Sequence, residues 1–418
     1  MRESGRRRVF YGYILVAVTF VIMTLFNGSG VFVFRLFVHP LEGSLGWGRA
    51  EVMVGFTIFY ATMGIASPAV GRIVDRYGAR IVIAGGAIVM GLGFVVISRM
   101  SALPLFYIGY VVVGVGAAGM GPVPCSAIVS NWFKRNRGLA LGLMAAGIGA
   151  GGVVMAPFIG YMLTHYHWRD AYLSLAVILV AVVVPLALLV VRTRPSDMGL
   201  YPDDDQAPAE EATRHGEPNG AASFTLNQAL RTRVFWFIAL AYACYGFGSG
   251  GALQTAAPYL EDVGFATATA AAILGVYGVG STIGKVLSGR LSDILQPTRV
   301  FAIGSALLLS GILLLLTVRA DSPLPMLWTC GAVLGLGAGV WLPTLSMLTS
   351  IHFGLLHYGA VLGALNICMS LGLSLGPLLS GFVHDATGSY VSAFTVFATL
   401  LFLAIPTILL VKQRQLST

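Results

Sequence analysis

Apolar residues reach along this chain in long runs separated by short polar breaks. A helix needs about 20 mostly apolar residues to cross a bilayer. Runs of that length predict spanning helices near 10–37, 51–71, 80–98, 104–130, 138–164 and 171–191, then near 235–261, 267–289, 299–318, 324–350, 359–383 and 390–411. The first run, from Val9 to Phe34 behind Arg6-Arg7-Arg8, is too long for a cleavable signal, whose apolar core is about 7 to 15 residues, so it reads as a first span. The fold class expected is all-α integral membrane, with 12 transmembrane helices in two six-helix pseudo-symmetric bundles.

The rhythm breaks between the sixth and seventh runs. Pro195, Pro202, Asp203-Asp204-Asp205, Pro208, Glu210-Glu211 and Pro218 suit a solvated linker. The expected organisation is therefore 1–192 as an N-terminal bundle, 193–232 as a linker and 233–418 as a C-terminal bundle. Those two parts repeat each other. Gly71-Arg72-Ile73-Val74-Asp75 returns as Gly289-Arg290-Leu291-Ser292-Asp293 at an offset of 218. Gly138 after Arg137 returns as Gly359 after Tyr358, and Pro157 and Gly160 return as Pro377 and Gly381, at offsets of 220 to 221. Several matches at a nearly constant offset indicate a six-plus-six duplication.

Composition agrees. Hydrophobic residues make up 57% of the 418 and charged residues 10%, against about 25% charged in soluble proteins. The 53 glycines suit helices that pack closely in lipid. A net charge of +8 does not point to nucleic acid, because the basic residues lie scattered in short loops rather than on one face. Most of them fall on one side of the alternating pattern, while Arg35, Arg49, Arg99, Arg169 and Arg319 fall on the other. The positive-inside rule then predicts a multi-pass protein of the cell membrane with both termini cytoplasmic. Cys125, Cys244, Cys330 and Cys368 lie far apart within apolar runs, without metal or disulfide spacing.

Two parallel six-helix repeats joined by a long linker describe the major facilitator architecture. Gly71-Arg72-Ile73-Val74-Asp75-Arg76-Tyr77-Gly78-Ala79-Arg80 resembles the signature of that superfamily between helices 2 and 3. The resemblance implies that this segment is a loop at the inner mouth. Asp75, Arg76 and Arg80, with Arg290 and Asp293 of the second copy, would form and break ion pairs there and hold the outward-facing state. Asn131-Trp132-Phe133-Lys134-Arg135-Asn136-Arg137-Gly138-Leu139-Ala140 is similar to the loop after helix 4 in the monocarboxylate and oxalate-formate transporter branch. So are Trp168-Arg169-Asp170-Ala171-Tyr172, Arg194-Pro195-Ser196-Asp197-Met198-Gly199-Leu200 and Asp385-Ala386-Thr387-Gly388-Ser389-Tyr390.

Cargo must be argued from polar groups within the spans. Lys285 is a lone cation inside predicted helix 8, among Gly280, Ser281, Thr282, Gly284 and Ser288. A charge at the centre of a span costs about 2.5 to 3.5 kcal/mol on insertion scales and usually faces a cavity. There it would attract an organic anion. Lying one turn before Gly289, it could instead snorkel to the interface. In the branch this place is an Arg that binds the substrate carboxylate, so the resemblance implies a substrate contact, with Lys a flexible point charge where Arg is a planar fork. Thr255 stands where bacterial members often carry a histidine, and Ser281 where animal members carry an aspartate; neither hydroxyl titrates as those do.

Gln254, Asn27, Asn366, Tyr277 and Trp341 are further candidate substrate contacts, followed by Tyr60, Tyr110, Ser126 and Tyr245; any of these could equally make an interhelical hydrogen bond. Arg35 reads either as the outer end of helix 1 or as part of the path to the site. Gly114-x-Gly116-x-x-Gly119 and Gly147-x-Gly149-x-x-Gly152 match a dinucleotide fingerprint literally but lie in apolar spans without its strand-turn-helix context. No nucleophile is paired with a base, so an enzyme is not expected, nor a cofactor or metal. The expected function is a secondary active transporter of a small organic anion, a monocarboxylate such as lactate or pyruvate or a related carboxylate. It would work by rocker-switch alternating access, with proton symport or anion exchange. The partners expected are that anion, a proton and the lipid bilayer, with no nucleic acid, for a monomeric chain. Efflux of drugs or amphiphiles is the alternative, and a non-transporting membrane sensor a more distant one.

Overall fold

A computed structural model describes residues 10–204 and 223–411. Arg2, Arg6, Arg7, Arg8, Arg214, Lys412 and Arg414 of the charge pattern, and Glu210 and Glu211 of the linker, lie outside the described residues. Among the described residues there is no strand, and twelve helices are long and apolar enough to cross a membrane. They are α1 (Tyr11–Leu45), α2 (Glu51–Tyr77), α3 (Ala79–Ser98), α4 (Leu103–Trp132), α5 (Arg137–His165), α6 (Trp168–Val190), α7 (Arg233–Val263), α8 (Thr267–Ile294), α9 (Pro297–Leu316), α10 (Leu324–Phe353), α11 (Tyr358–Thr387) and α12 (Val391–Leu409). Each predicted span has its counterpart. Helices suit this environment because each satisfies its own backbone polar groups where lipid offers none.

Two segments differ from expectation. α1 continues beyond its apolar window to Leu45 by way of a π-helical turn at Gly28–Phe32. That places Arg35 within the span instead of at its outer boundary. The expected loop over Gly71–Arg80 is mostly helix: α2 runs to Tyr77, α3 begins at Ala79, and Gly78 alone intervenes with φ +85°. Glycine reaches that left-handed region without the Cβ penalty. The Thr193 hydroxyl accepts from the Ala79 N–H at 2.9 Å and so starts α3.

Interruptions in α4 and α10 mirror each other. α4 breaks at Gly121, just before Pro122, whose ring carries no N–H to continue the ladder. α10 breaks at Gly339–Val340, just before Trp341 and Pro343. The glycines that imitate a dinucleotide motif serve helix packing: a Cβ on Gly119 would stand 2.8 Å from the Gly86 Cα, and one on Gly147 would strike the Phe20 carbonyl.

The first six helices meet the last six chiefly along two seams, α2 on α11 and α5 on α8. Both are lined by small residues at helical spacing, which let backbones touch. On the first, Gly71 meets Gly359, Gly363 meets Ser67 and Pro68, and Gly64 meets Ser370. On the second, Gly138 meets Gly289, Gly142 meets Lys285 and Val286, and Gly149 meets Thr282. Further along the same stripes stand Gly160 of α5, Gly278 of α8 and Gly381 of α11, and a Cβ on any of them would find no atom within 4 Å. The two sets of helices are therefore zipped together at the end where the described chain begins and ends, and parted at the other.

Gly71→Ala drives a methyl group into the Gly359 carbonyl and should lower the melting temperature of the purified protein. Gly85→Ala, where the added Cβ meets nothing within 4 Å, should be neutral or stabilising, by up to about 1 kcal/mol of helix propensity. Equal behaviour of the two variants would refute the seam.

Candidate functional site

Lys285 lies on the α5–α8 seam, one turn before its last close contact, that of Gly149 on Thr282. Its side chain is 3% exposed. The ammonium turns back along α8 to the Ser281 carbonyl (3.3 Å) and hydroxyl, away from Gly289 and the zipped end. It does not snorkel in this conformation. α10 packs closely against the α8 backbone here: a Cβ on Gly339, at the break, would stand 2.6 Å from the Lys285 backbone nitrogen. Among the described residues no carboxylate lies within ion-pair distance of this cation.

The other candidates divide by direction. Asn366 is buried and donates across the α2–α11 seam to the Ser67 hydroxyl at 3.2 Å. Ser126 of α4 and Ser346 of α10 also bond across the two halves, at 3.0 Å. Asn27 instead donates to the Ile148 carbonyl of α5, within its own half, at 3.0 Å. Thr255 is buried between α7 and α11, where its hydroxyl donates to Ser380 at 2.8 Å. Tyr245 donates to the Gly337 carbonyl at 2.8 Å, and Tyr110 pairs with Tyr172 at 3.0 Å. Gln254 and Trp341 are half-buried. Tyr277 stands two turns along α8 from Lys285 and is half-buried. The structure thus groups Lys285, Ser281 and Tyr277 along one helix facing the seam, and sends Asn27 and Thr255 into packing within a half.

The gating candidates differ from the expected ion pairs. Among the described residues no arginine bonds Asp75. Its two carboxylate oxygens accept from the backbone N–H groups of Gly359 (2.8 Å) and Ala360 (2.9 Å), at the start of α11. Asp293 does the same to α5, accepting from Gly138 (2.6 Å) and Leu139 (2.8 Å). The first amides of a helix have no partner inside it, and neither α5 nor α11 is capped by a side chain of its own flanking residue. Each half therefore caps a helix of the other. A carboxylate suits that place because the N-terminal end of a helix carries partial positive charge.

The second residue of each capped helix is glycine. A Cβ on Gly138 would stand 2.8 Å from the Asp293 carboxylate, and one on Gly359 would stand 2.9 Å from that of Asp75. Sequence reasoning noted the repeat of Gly138 as Gly359 without seeing this role. Arg290 donates to the Asn136 side chain at 3.1 Å, beside the cap. Arg76 lies over the ring of its neighbour Tyr77 at 5.2 Å, and Arg80 is exposed.

A sequence profile described as Major Facilitator Superfamily matches residues 20–297 and 238–417. The chain belongs to the Major Facilitator Superfamily. Among its members the chain is similar to human monocarboxylate transporter 11, 30% identical over 82% of this chain and 70% of that protein. It is also similar to the oxalate:formate antiporter of Oxalobacter formigenes, 26% identical over 66% of this chain and 60% of that one. The crystal structure of the human organic anion transporter MFSD10 superposes with a TM-score of 0.72 at 16% identity, covering 95% of this chain and 99% of that one. The fold is thus that of the superfamily, and the chain is a multi-pass membrane transporter related to monocarboxylate carriers.

Each reciprocal cap should contribute about 1 to 2 kcal/mol to holding this end shut, or about 5- to 30-fold in the ratio of closed to open. Spin labels at the exposed Arg72 and Leu356, which line a single cleft beside Asp75, would read this as a distance. The long-distance population should grow in Asp75→Ala and in Asp293→Ala, and more in the double variant. An unchanged distribution in the double variant would remove the caps from the gating mechanism.

Proposed function

We propose that this transporter carries a small organic anion, a monocarboxylate or a related carboxylate, between its two halves by rocker-switch alternating access, and that Lys285 binds the carboxylate. The observation that carries the reading is the buried ammonium at the edge of the parted region, bonded to Ser281 and facing no carboxylate. A charge so placed is costly unless a counter-ion arrives. The kinship with a monocarboxylate transporter and an oxalate:formate antiporter supports the same class of cargo. With the termini cytoplasmic, as the distribution of Lys and Arg favours, the parted end opens outward and the reciprocal caps close the cytoplasmic side.

Ser281, which bonds Lys285, and Tyr277, two turns along α8, are the polar side chains beside the bound anion in this reading. Asn366 and the Ser126–Ser346 pair cross between the halves on the closed side and must separate when that side opens. They belong with Asp75 and Asp293 in the gate.

Purified protein in liposomes, tested for uptake and exchange of lactate, pyruvate, oxalate, formate and longer carboxylates with and without a pH gradient, examines this directly. Movement of at least one carboxylate is expected, lost in Lys285→Ala and partly kept in Lys285→Arg. Unchanged uptake by Lys285→Ala would take the carboxylate away from Lys285. No movement of any carboxylate would sink the cargo class.

A further inference from the structure

The stretch that follows α6 carries the motif Arg194–Leu200, which the gate and the substrate site leave without a role. Its residues fold into a closed turn. The Arg194 N–H donates to the Asp197 side chain at 3.0 Å, the Leu200 N–H donates to the Pro195 carbonyl at 3.1 Å, and Gly199 takes φ +67°. Leu200 then packs on the hydrophobic core. Both flanks of this turn are tied to the first half. On the near side the Arg192 carbonyl accepts from the Trp132 indole at 2.9 Å, the Thr193 carbonyl accepts from the Asn131 amide at 3.3 Å, and the Thr193 hydroxyl holds Ala79 at the start of α3. On the far side one carboxylate oxygen of Asp203 accepts from both the Lys134 and the Arg135 N–H, at 2.9 and 2.7 Å. Asp203 has φ +58°, and among the described residues no other non-glycine residue has a positive φ. Such a conformation has a steric cost and persists only where the surroundings enforce it.

Residues 192–203 therefore form a strap across the zipped end of the first half, and the two turns it joins are those of the gate. The turn between α2 and α3 follows directly on Asp75, the carboxylate that this half gives. The turn between α4 and α5 leads into Gly138 and Leu139, the amides on which this half receives Asp293. A similar tie recurs where the described chain resumes. The Phe224 N–H donates to the Phe353 carbonyl at 2.9 Å, and a Cβ on Gly354 would stand 2.6 Å from the Ser223 hydroxyl. That contact holds the turn that leads into Gly359 and Ala360, where Asp75 is received.

We propose that the strap of residues 192–203 couples the two reciprocal caps so that they open and close as one event, with Thr193 and Asp203 as its positioning residues. Caps that acted singly would let either seam open locally, and a barrier open at one seam no longer separates the two sides of the membrane. A tie between the turn that gives one carboxylate and the turn that receives the other makes the loss of either cap felt at both seams. The bonds of the strap all lie within the first half, so none of them has to break when the halves part. This inference rests on the reading of the caps as the closure of this end, and it is independent of the cargo.

The test uses the full chain with its four native cysteines replaced and spin labels in pairs, at Arg72 and Leu356 beside the Asp75 cap or at Lys134 and Ile294 beside the Asp293 cap. All four positions are exposed, and a label on the Lys134 side chain leaves its N–H in place. With the strap intact, Asp293→Ala should raise the ratio of open to closed at both pairs by the same factor, about 5- to 30-fold. Asp203→Gly accepts the positive φ without the carboxylate; added to Asp293→Ala, it should confine the rise to the Lys134–Ile294 pair. Thr193→Val should do the same from the other end of the strap. Asp203→Asn keeps an acceptor oxygen and tolerates the left-handed region, and it should preserve the joint response. A strap that only stabilised the fold would lower the melting temperature in these variants without separating the two pairs. Equal rises at both pairs in either strap variant, or unequal rises with the strap intact, overturn the coupling and leave the caps standing. An Asp293→Ala protein in which neither pair moves overturns the caps as the closure, and the strap with them.

Discussion

Two carboxylates, each filling the vacant amides at the start of a helix from the opposite half, are the contacts on which the rest of this architecture turns. Helices in lipid gain little from hydrophobic attraction to one another, so the halves are held by close packing and a few polar bonds. Asp75 on α11 and Asp293 on α5 supply those bonds at one end only. Their reach depends on glycine at the second helical position, where Gly359 and Gly138 let the carboxylate and the facing backbone approach together. From there the small-residue seams extend until Gly278, Gly160 and Gly381 find nothing opposite them. The asymmetry between a shut end and a parted end follows from where those caps sit.

Such a closure is suited to a transporter because it is modest. Two caps of about 1 to 2 kcal/mol each, with a handful of hydroxyl and amide bonds such as Asn366 to Ser67, make a difference of a few kcal/mol between states. A ligand can overcome it with ordinary differential affinity. The position of Lys285 matters for the same reason. It stands where Gly142 of the other half and the break in α10 at Gly339 both press against α8. When the α5–α8 seam opens, the surroundings of that ammonium change. An anion bound to Lys285, as proposed, would therefore act on the contact that decides the conformation, and not on a remote one.

The twelve spans were legible in the sequence because crossing a bilayer imposes a length and an apolarity that one dimension displays. The internal repeat was legible too, down to the glycines that the caps require. What the caps do with those glycines was not, because Asp293 and Gly138 are 155 residues apart and Asp75 and Gly359 are 284 apart. Asp75 therefore read as a loop residue seeking arginines. The full length of α1 around Arg35 was hidden for a different reason: His39 and Glu42 end the apolar window early, although the helix continues to Leu45. The directions of Asn27 and Thr255 were unreadable because helices buried on most sides lose the amphipathic period that marks a face. Both side chains turned out to bond within their own half.

The distribution of charge sets a condition on the return step of the cycle. Within the described spans the carboxylates lie near helix ends, at Glu42, Glu51, Asp75, Asp170, Glu261, Asp262, Asp293 and Asp385. None faces Lys285 within ion-pair distance. A site that closes empty around a bare ammonium must bear its desolvation, which amounts to several kcal/mol per ion. Two routes avoid that cost. A second anion can occupy the site, which makes the carrier an exchanger, or the lysine can release its proton to the open side, which makes it a proton-coupled carrier. An arginine at the same place has only the first route, because its guanidinium does not deprotonate in proteins. If Lys285 binds the cargo as proposed, the choice of lysine over arginine in α8 bears on the coupling of the carrier as well as on the shape of the anion it would accept.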